Sequence, residues 1–78
     1  MILKVKYFGM TAEISGVEEE SLNGEFLMVS DFKKRLFENY SGLLNVNFKI
    51  AVNHNLVDEK FELSNNDEIA LLPPFAGG

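Results

Sequence analysis

The residues able to make or break bonds are few, and most of them do not form a pattern that builds a site. The 78-residue sequence has one His, His54, and no Cys. A His pair, a thiolate metal centre, a Cys nucleophile and a Cys–His dyad are therefore all excluded. His54 stands inside the polar stretch Asn53-His54-Asn55 and reads as a turn residue with no chemical role. The twelve Asp and Glu supply many possible carboxylate pairs. No spacing sets two of them in the apolar surroundings that acid–base work requires. Glu18-Glu19-Glu20 reads as a solvated strand edge that resists aggregation, not as a metal site. The six Gly are scattered except for the last two, so no phosphate-cradling loop is present.

What remains is the terminal run Pro73-Pro74-Phe75-Ala76-Gly77-Gly78. Pro73 and Pro74 have fixed φ and no backbone donor, so they end a strand and project the chain outward in an extended form. Phe75 is apolar where a frayed end is usually polar. Gly77 and Gly78 carry no Cβ, which suits a backbone that must thread a narrow channel. Six extended residues reach at most ~20 Å, enough to enter a neighbouring protein's active site. A terminal carboxylate has a reference pKa of ~3.5 and is a poor electrophile at neutral pH. Chemistry at Gly78 therefore requires activation, most simply as an acyl-adenylate from which a sulfur or nitrogen nucleophile displaces AMP.

Composition supports an ordinary small domain, with 46% hydrophobic and 24% charged residues and a net charge of -5. The acidic balance argues against nucleic acid or an anionic membrane as partner and predicts basic patches on partner proteins. No apolar run is long enough for a membrane span, and the Met1-Ile2-Leu3-Lys4 start lacks a signal-peptide pattern. With no Cys to staple the fold, a reducing, cytoplasmic setting is expected.

The elements that must carry the terminus follow from periodicity. Ile2 to Phe8 alternates as a strand, with Leu3, Val5 and Tyr7 on the core face and Phe8 turned away from it. Gly9 to Gly16 is a glycine-bracketed connection in which Thr11 starts a short helical turn through Ala12, Glu13 and Ile14. Val17 to Leu22 is an acidic second strand, and Asn23-Gly24 a turn. Val29, Phe32, Leu36 and Tyr40 recur at helical spacing, widened by Phe37, with Lys33, Lys34, Arg35 and Glu38 on the wet side and Gly42 as the stop. Lys49 to Val52 is a third strand, Leu56-Val57 a short fourth, and Glu68 to Leu72 the last, with Ile69 and Leu71 facing opposite to Ala70 and Leu72. One helix across one sheet is the economical packing. The division expected is a domain over residues 1–72 and a flexible tail over 73–78.

This order, with Gly77-Gly78 at the end, resembles the α+β ubiquitin-like β-grasp proteins, and more closely the small-subunit (MoaD) sulfur-carrier family of molybdopterin synthase. The resemblance spans nearly the whole chain, through Lys4 to Phe8, Ala51-Val52-Asn53, Leu56-Val57, Asn66 to Ala70 and Pro73 to Gly78. It implies a mixed sheet of about five strands, no tightly bound cofactor, and ATP and Mg used by an adenylating enzyme that activates Gly78. It further implies a sulfur donor protein that makes a thiocarboxylate. The large synthase subunit would then take Pro73, Pro74, Phe75, Ala76 and Gly77 into its active site within a heterotetramer. Phe8, Leu56 and Leu72 match positions that the family uses for docking. So read, the chain is a sulfur-donating cosubstrate with no internal active site. The competing readings are a thiazole-synthesis sulfur carrier, a protein modifier joined to lysines through Gly78, and an inert binding module.

Overall fold

The computed structural model describes residues 1–75. The elements run β1 (Ile2–Tyr7), α1 (Met10–Ser15), β2 (Glu19–Asn23), α2 (Val29–Asn39), a 3-10 helix (Ser41–Asn45), β3 (Lys49–Val52), β4 (Asn55–Leu56) and β5 (Glu68–Leu72). The five strands form one mixed sheet in the order β2-β1-β5-β3-β4. β1 and β5 are parallel, with Lys4 opposite Glu68 and Tyr7 opposite Leu71, and every other pairing is antiparallel. This is the α+β ubiquitin-like β-grasp fold, with the first and last strands side by side.

Alternation decides which side of the sheet is covered. Leu3, Val5 and Tyr7 of β1, Ile69 and Leu71 of β5, and Ile50 and Val52 of β3 are buried against Val29, Phe32 and Leu36 of α2. α2 begins where the Asp31 carboxylate accepts the N–H groups of Leu27 and Met28, both at 3.0 Å, and so satisfies donors that a helix start leaves free. Its Arg35 is not merely wet: the guanidinium lies 5.5 Å from the Phe26 ring centre and donates to Asn23 O at 3.2 Å.

The remaining core comes from connections, where periodicity has no purchase: Phe26, Leu43 and Leu63 are all buried. Gly42 differs from its expected role as a left-handed stop. α2 ends at Asn39, and Gly42 lies inside the following 3-10 helix. A Cβ there would sit 3.1 Å from Ile14 Cγ2, so glycine allows this helix to approach α1 closely. At the β3–β4 hairpin, Asn53 and His54 have φ of 49° and 73°, the two-residue primed turn that matches strand twist. Asn53 is tied to β5 as well, its side chain donating to Asp67 Oδ1 at 2.9 Å and accepting from Glu68 N at 3.0 Å.

The acidic run divides. Glu18 and Glu19 are exposed, as a guarded edge requires, but Glu20 stands opposite Val5 on the core face of β2. Its Oε2 accepts the hydroxyls of Tyr7 and Tyr40, the latter at 2.7 Å, and the two rings meet edge to face at 5.8 Å. Burial, then the hydrogen bond to Glu20, push the Tyr7 hydroxyl well above its ordinary value. For Tyr40 the bond to Glu20 is the larger cause of an upward shift. A raised folded-state value contributes stability that is complete below the unfolded value of ~10 and is lost as pH rises through the folded one. Both tyrosines should therefore ionise late in an alkaline absorbance titration, with stability falling as they do. Glu20→Ala, which leaves the buried Tyr7 hydroxyl without its acceptor, should cost about 1–3 kcal/mol in urea unfolding at neutral pH.

Candidate functional site

α2 covers one face of the sheet, and the described residues leave the other face uncovered by any helix. Paired residues on neighbouring strands share a face, so the register assigns the open side directly. Glu19, Lys6, Ala70, Ala51 and Leu56 form one row across the five strands, and Leu72 and Lys49 stand opposite each other in another. Leu56 is 49% exposed, and Leu72 is half-buried. Ala51 is buried yet contributes nothing to the core cluster. Ala70 and Ala51 thus form a low floor between the larger Leu72 and Leu56.

Phe8 follows Tyr7 and is 44% exposed, with its N–H donating to Leu71 O at 3.2 Å. Alternation had turned it from the core, and the structure sets it at the end of the same open face. The three residues expected to dock, Phe8, Leu56 and Leu72, therefore bound one apolar surface. Sequence reasoning missed the alanine floor, because a small residue carries no amphipathic signal of its own.

Charge on this face is mixed. Lys4, Lys6 and Lys49 accompany Glu19 and Glu68 there. Lys6 Nζ lies 3.2 Å from Glu68 Oε1, and His54 Nε2 lies 3.6 Å from Glu68 Oε2. The acidic excess of the chain is thus not concentrated on the open face, whose distinguishing property is its apolar patch. Among the described residues no group of three or more metal-ligating side chains comes together. No helix among them is long and apolar enough to cross a membrane.

The tail leaves from the same end of the sheet. β5 stops at Leu72, and Pro73 packs beside Gly9, where a Cβ would lie 3.5 Å from Pro73 Cγ. Gly9 has φ of 60° and ψ of -133°, a conformation costly for a residue with a Cβ. Phe8 to Thr11, Val46-Asn47 and Pro73 to Phe75 together line an open cleft of about 270 Å³. Phe75 itself is 79% exposed. Ala76, Gly77 and Gly78, including the residue expected to be activated, lie outside the described residues.

Residues 5–78 match the ThiS family. The chain belongs to the ThiS family. Its wider grouping is that of the ubiquitin-like β-grasp sulfur carriers. A relative from Caenorhabditis elegans, a molybdopterin synthase sulfur carrier subunit, is 31% identical over 97% of this chain and 96% of its own. Among solved structures, subunits 1 and 2 of the molybdopterin-converting factor of Helicobacter pylori 26695 form a protein–protein complex. A chain of that complex is 30% identical, with a TM-score of 0.68 and full coverage of both chains. The small archaeal modifier protein 1 of Methanosarcina acetivorans is also 30% identical, with a TM-score of 0.81 over 99% of this chain and 96% of that one.

For this ThiS-family chain, adjacent positions on β5 should respond oppositely to charge. Leu71 is fully buried, so Leu71→Asp should abolish cooperative thermal unfolding. Leu72→Asp, on the open face, should leave the circular dichroism spectrum intact and cost no more than about 1 kcal/mol.

Proposed function

We propose that the chain is the sulfur-carrier small subunit of a molybdopterin synthase, with the Gly78 carboxylate as its reacting group. The observation that carries this reading is that the exposed apolar face and the base of the Pro73-Pro74 tail meet at one end of a single sheet. A partner docked on Phe8, Leu72 and Leu56 would then lie where the tail can reach it. The names of the C. elegans and H. pylori relatives point to the same assembly.

In this cycle the domain, residues 1–72, is a handle and residues 73–78 are the delivered arm. The Gly78 carboxylate attacks the α-phosphorus of ATP in an adenylating enzyme that also supplies Mg, expelling pyrophosphate. The resulting acyl-adenylate is a competent electrophile, and sulfide-level sulfur released by a donor protein attacks its carbonyl carbon and expels AMP to leave a thiocarboxylate. The loaded tail, Pro73 to Gly77, next enters the large subunit of a heterotetramer, where sulfur passes to a cyclic pyranopterin precursor to build the dithiolene. Acid–base groups for these steps come from the partners. The carrier contributes docking, reach and the sulfur.

The M. acetivorans relative favours a second reading, conjugation of Gly78 to lysines, because an activated acyl group accepts nitrogen as readily as sulfur. Intact mass after incubation with cell extract, ATP and a sulfur donor, followed by a pull-down, separates the two. An oxygen-to-sulfur gain on Gly78, with a large subunit retained in a pull-down, is the expected outcome. Isopeptides to lysines across many proteins would instead establish the modifier, and no change with an extract active on a control carrier would sink both. Removing Gly78 should abolish loading while changing stability by less than about 0.5 kcal/mol. Leu72→Asp should weaken large-subunit binding by about tenfold or more with the fold preserved.

A further inference from the structure

Thr11 is 2% exposed and, Tyr7 aside, is the sole buried polar side chain among the described residues. The sequence suggests a helix cap there, but the structure puts it to another use. α1 starts at Met10 with its N-cap at Gly9, two residues ahead of Thr11, which lies inside the first turn. Its hydroxyl turns back to Phe8, donating to Phe8 O at 2.7 Å and accepting from Phe8 N at 3.0 Å. A threonine that bonds a carbonyl one turn back is common. Here the N–H that Thr11 receives is the same one that Phe8 gives to Leu71 O at 3.2 Å, so a single donor joins the turn to the last strand. Gly9, one residue past Phe8, faces Pro73, two residues past Leu71.

We infer that Thr11, acting through Phe8 and Gly9, is a positioning residue that sets the direction in which the tail leaves the domain. The inference rests on the sulfur-carrier reading above. Thr11 is buried beneath the turn and is no part of the exposed docking surface. Its influence on the reacting carboxylate is one of leverage. Five residues separate Pro73 from Gly78, a span of at most ~17 Å, so a tilt of about 20° at the base can displace the far end by up to about 6 Å. Misplacement by even ~1 Å can cost orders of magnitude in rate when a reacting group must meet a fixed site. Phe8 keeps its bond to Leu71 O without the Thr11 hydroxyl, so its place on the open face depends on the clamp less than the direction of the tail does. Loss of the clamp should therefore lower turnover in the docked complex and leave binding alone.

The test is steady-state adenylation, followed by pyrophosphate release, with the carrier as varied substrate. Thr11→Val keeps the shape and removes the hydroxyl. It should lower kcat by about tenfold with KM within about twofold, and Thr11→Ser should restore kcat. Leu72→Asp should show the opposite split, a raised KM. An unchanged kcat in Thr11→Val, or a loss that falls wholly in KM, overturns the inference. If Thr11→Val does not fold, Pro73→Ala carries the test from the other side of the contact, because it removes the ring that leans on Gly9 and leaves the hydroxyl in place. Wild-type kcat in that variant likewise overturns the inference. Failure of the wild-type carrier to be adenylated at all would sink the sulfur-carrier reading and this role with it, an outcome distinct from equal turnover of wild type and variant.

Discussion

The parallel pairing of β1 with β5 is the constraint on which the rest of the molecule depends. Parallel neighbours cannot be joined by a hairpin, so the chain between them must cross over, and here everything from Phe8 to Asp67 forms that crossover. The pairing brings Leu3, Val5, Tyr7, Ile69 and Leu71 together at the middle of the sheet, where α2 covers them. It also makes both strands end at the same level. The turn into α1 and the start of the tail are consequently neighbours, which two antiparallel central strands would not have produced.

A single helix can bury one sheet face, and the second face is left for other uses. In a free domain that face carries a cost unless its apolar content is limited. Here Lys4, Lys6, Lys49, Glu19 and Glu68 dilute it, and the alanines at 51 and 70 keep its centre shallow. The sheet edges are managed in a similar way. β4 has only two residues, and the outer strand β2 places Glu19 toward solvent. Glu20, one residue on, does the reverse and anchors Tyr7 and Tyr40. A charge run can thus guard an edge and serve the interior at once, since successive strand residues face opposite ways.

Poverty in Cys and His would be a handicap for an enzyme with its own pocket. On the sulfur-carrier reading proposed above it fits a division of labour in which the reacting atom sits on the main chain and the partners hold the acid–base groups. The domain then has two mechanical tasks, to present a surface and to hold the tail's origin steady. On that reading both are concentrated around Phe8, which is exposed at the end of the open face and whose backbone is bonded to Leu71 and Thr11.

Local pattern was enough to read the core faces of β1 and β5, the stripe of α2, the Asn53-His54 turn and the end of β5 before Pro73. Each depends on residues a few positions apart, where strand and helix periods act directly. The order of the strands, the membership of Phe26, Leu43 and Leu63 in the core, and the use of Glu20, Thr11 and Gly42 were not legible in the same way. These depend on what lies opposite: a tyrosine twenty residues away, the end of a strand sixty residues away, or a helix that must come close. The amino-acid sequence by itself determined which faces were apolar and where the last strand had to stop, at Pro73. Only the tertiary structure decided that the apolar surface and the tail share one end of the sheet, because strand pairing brings distant segments level and periodicity carries no record of it.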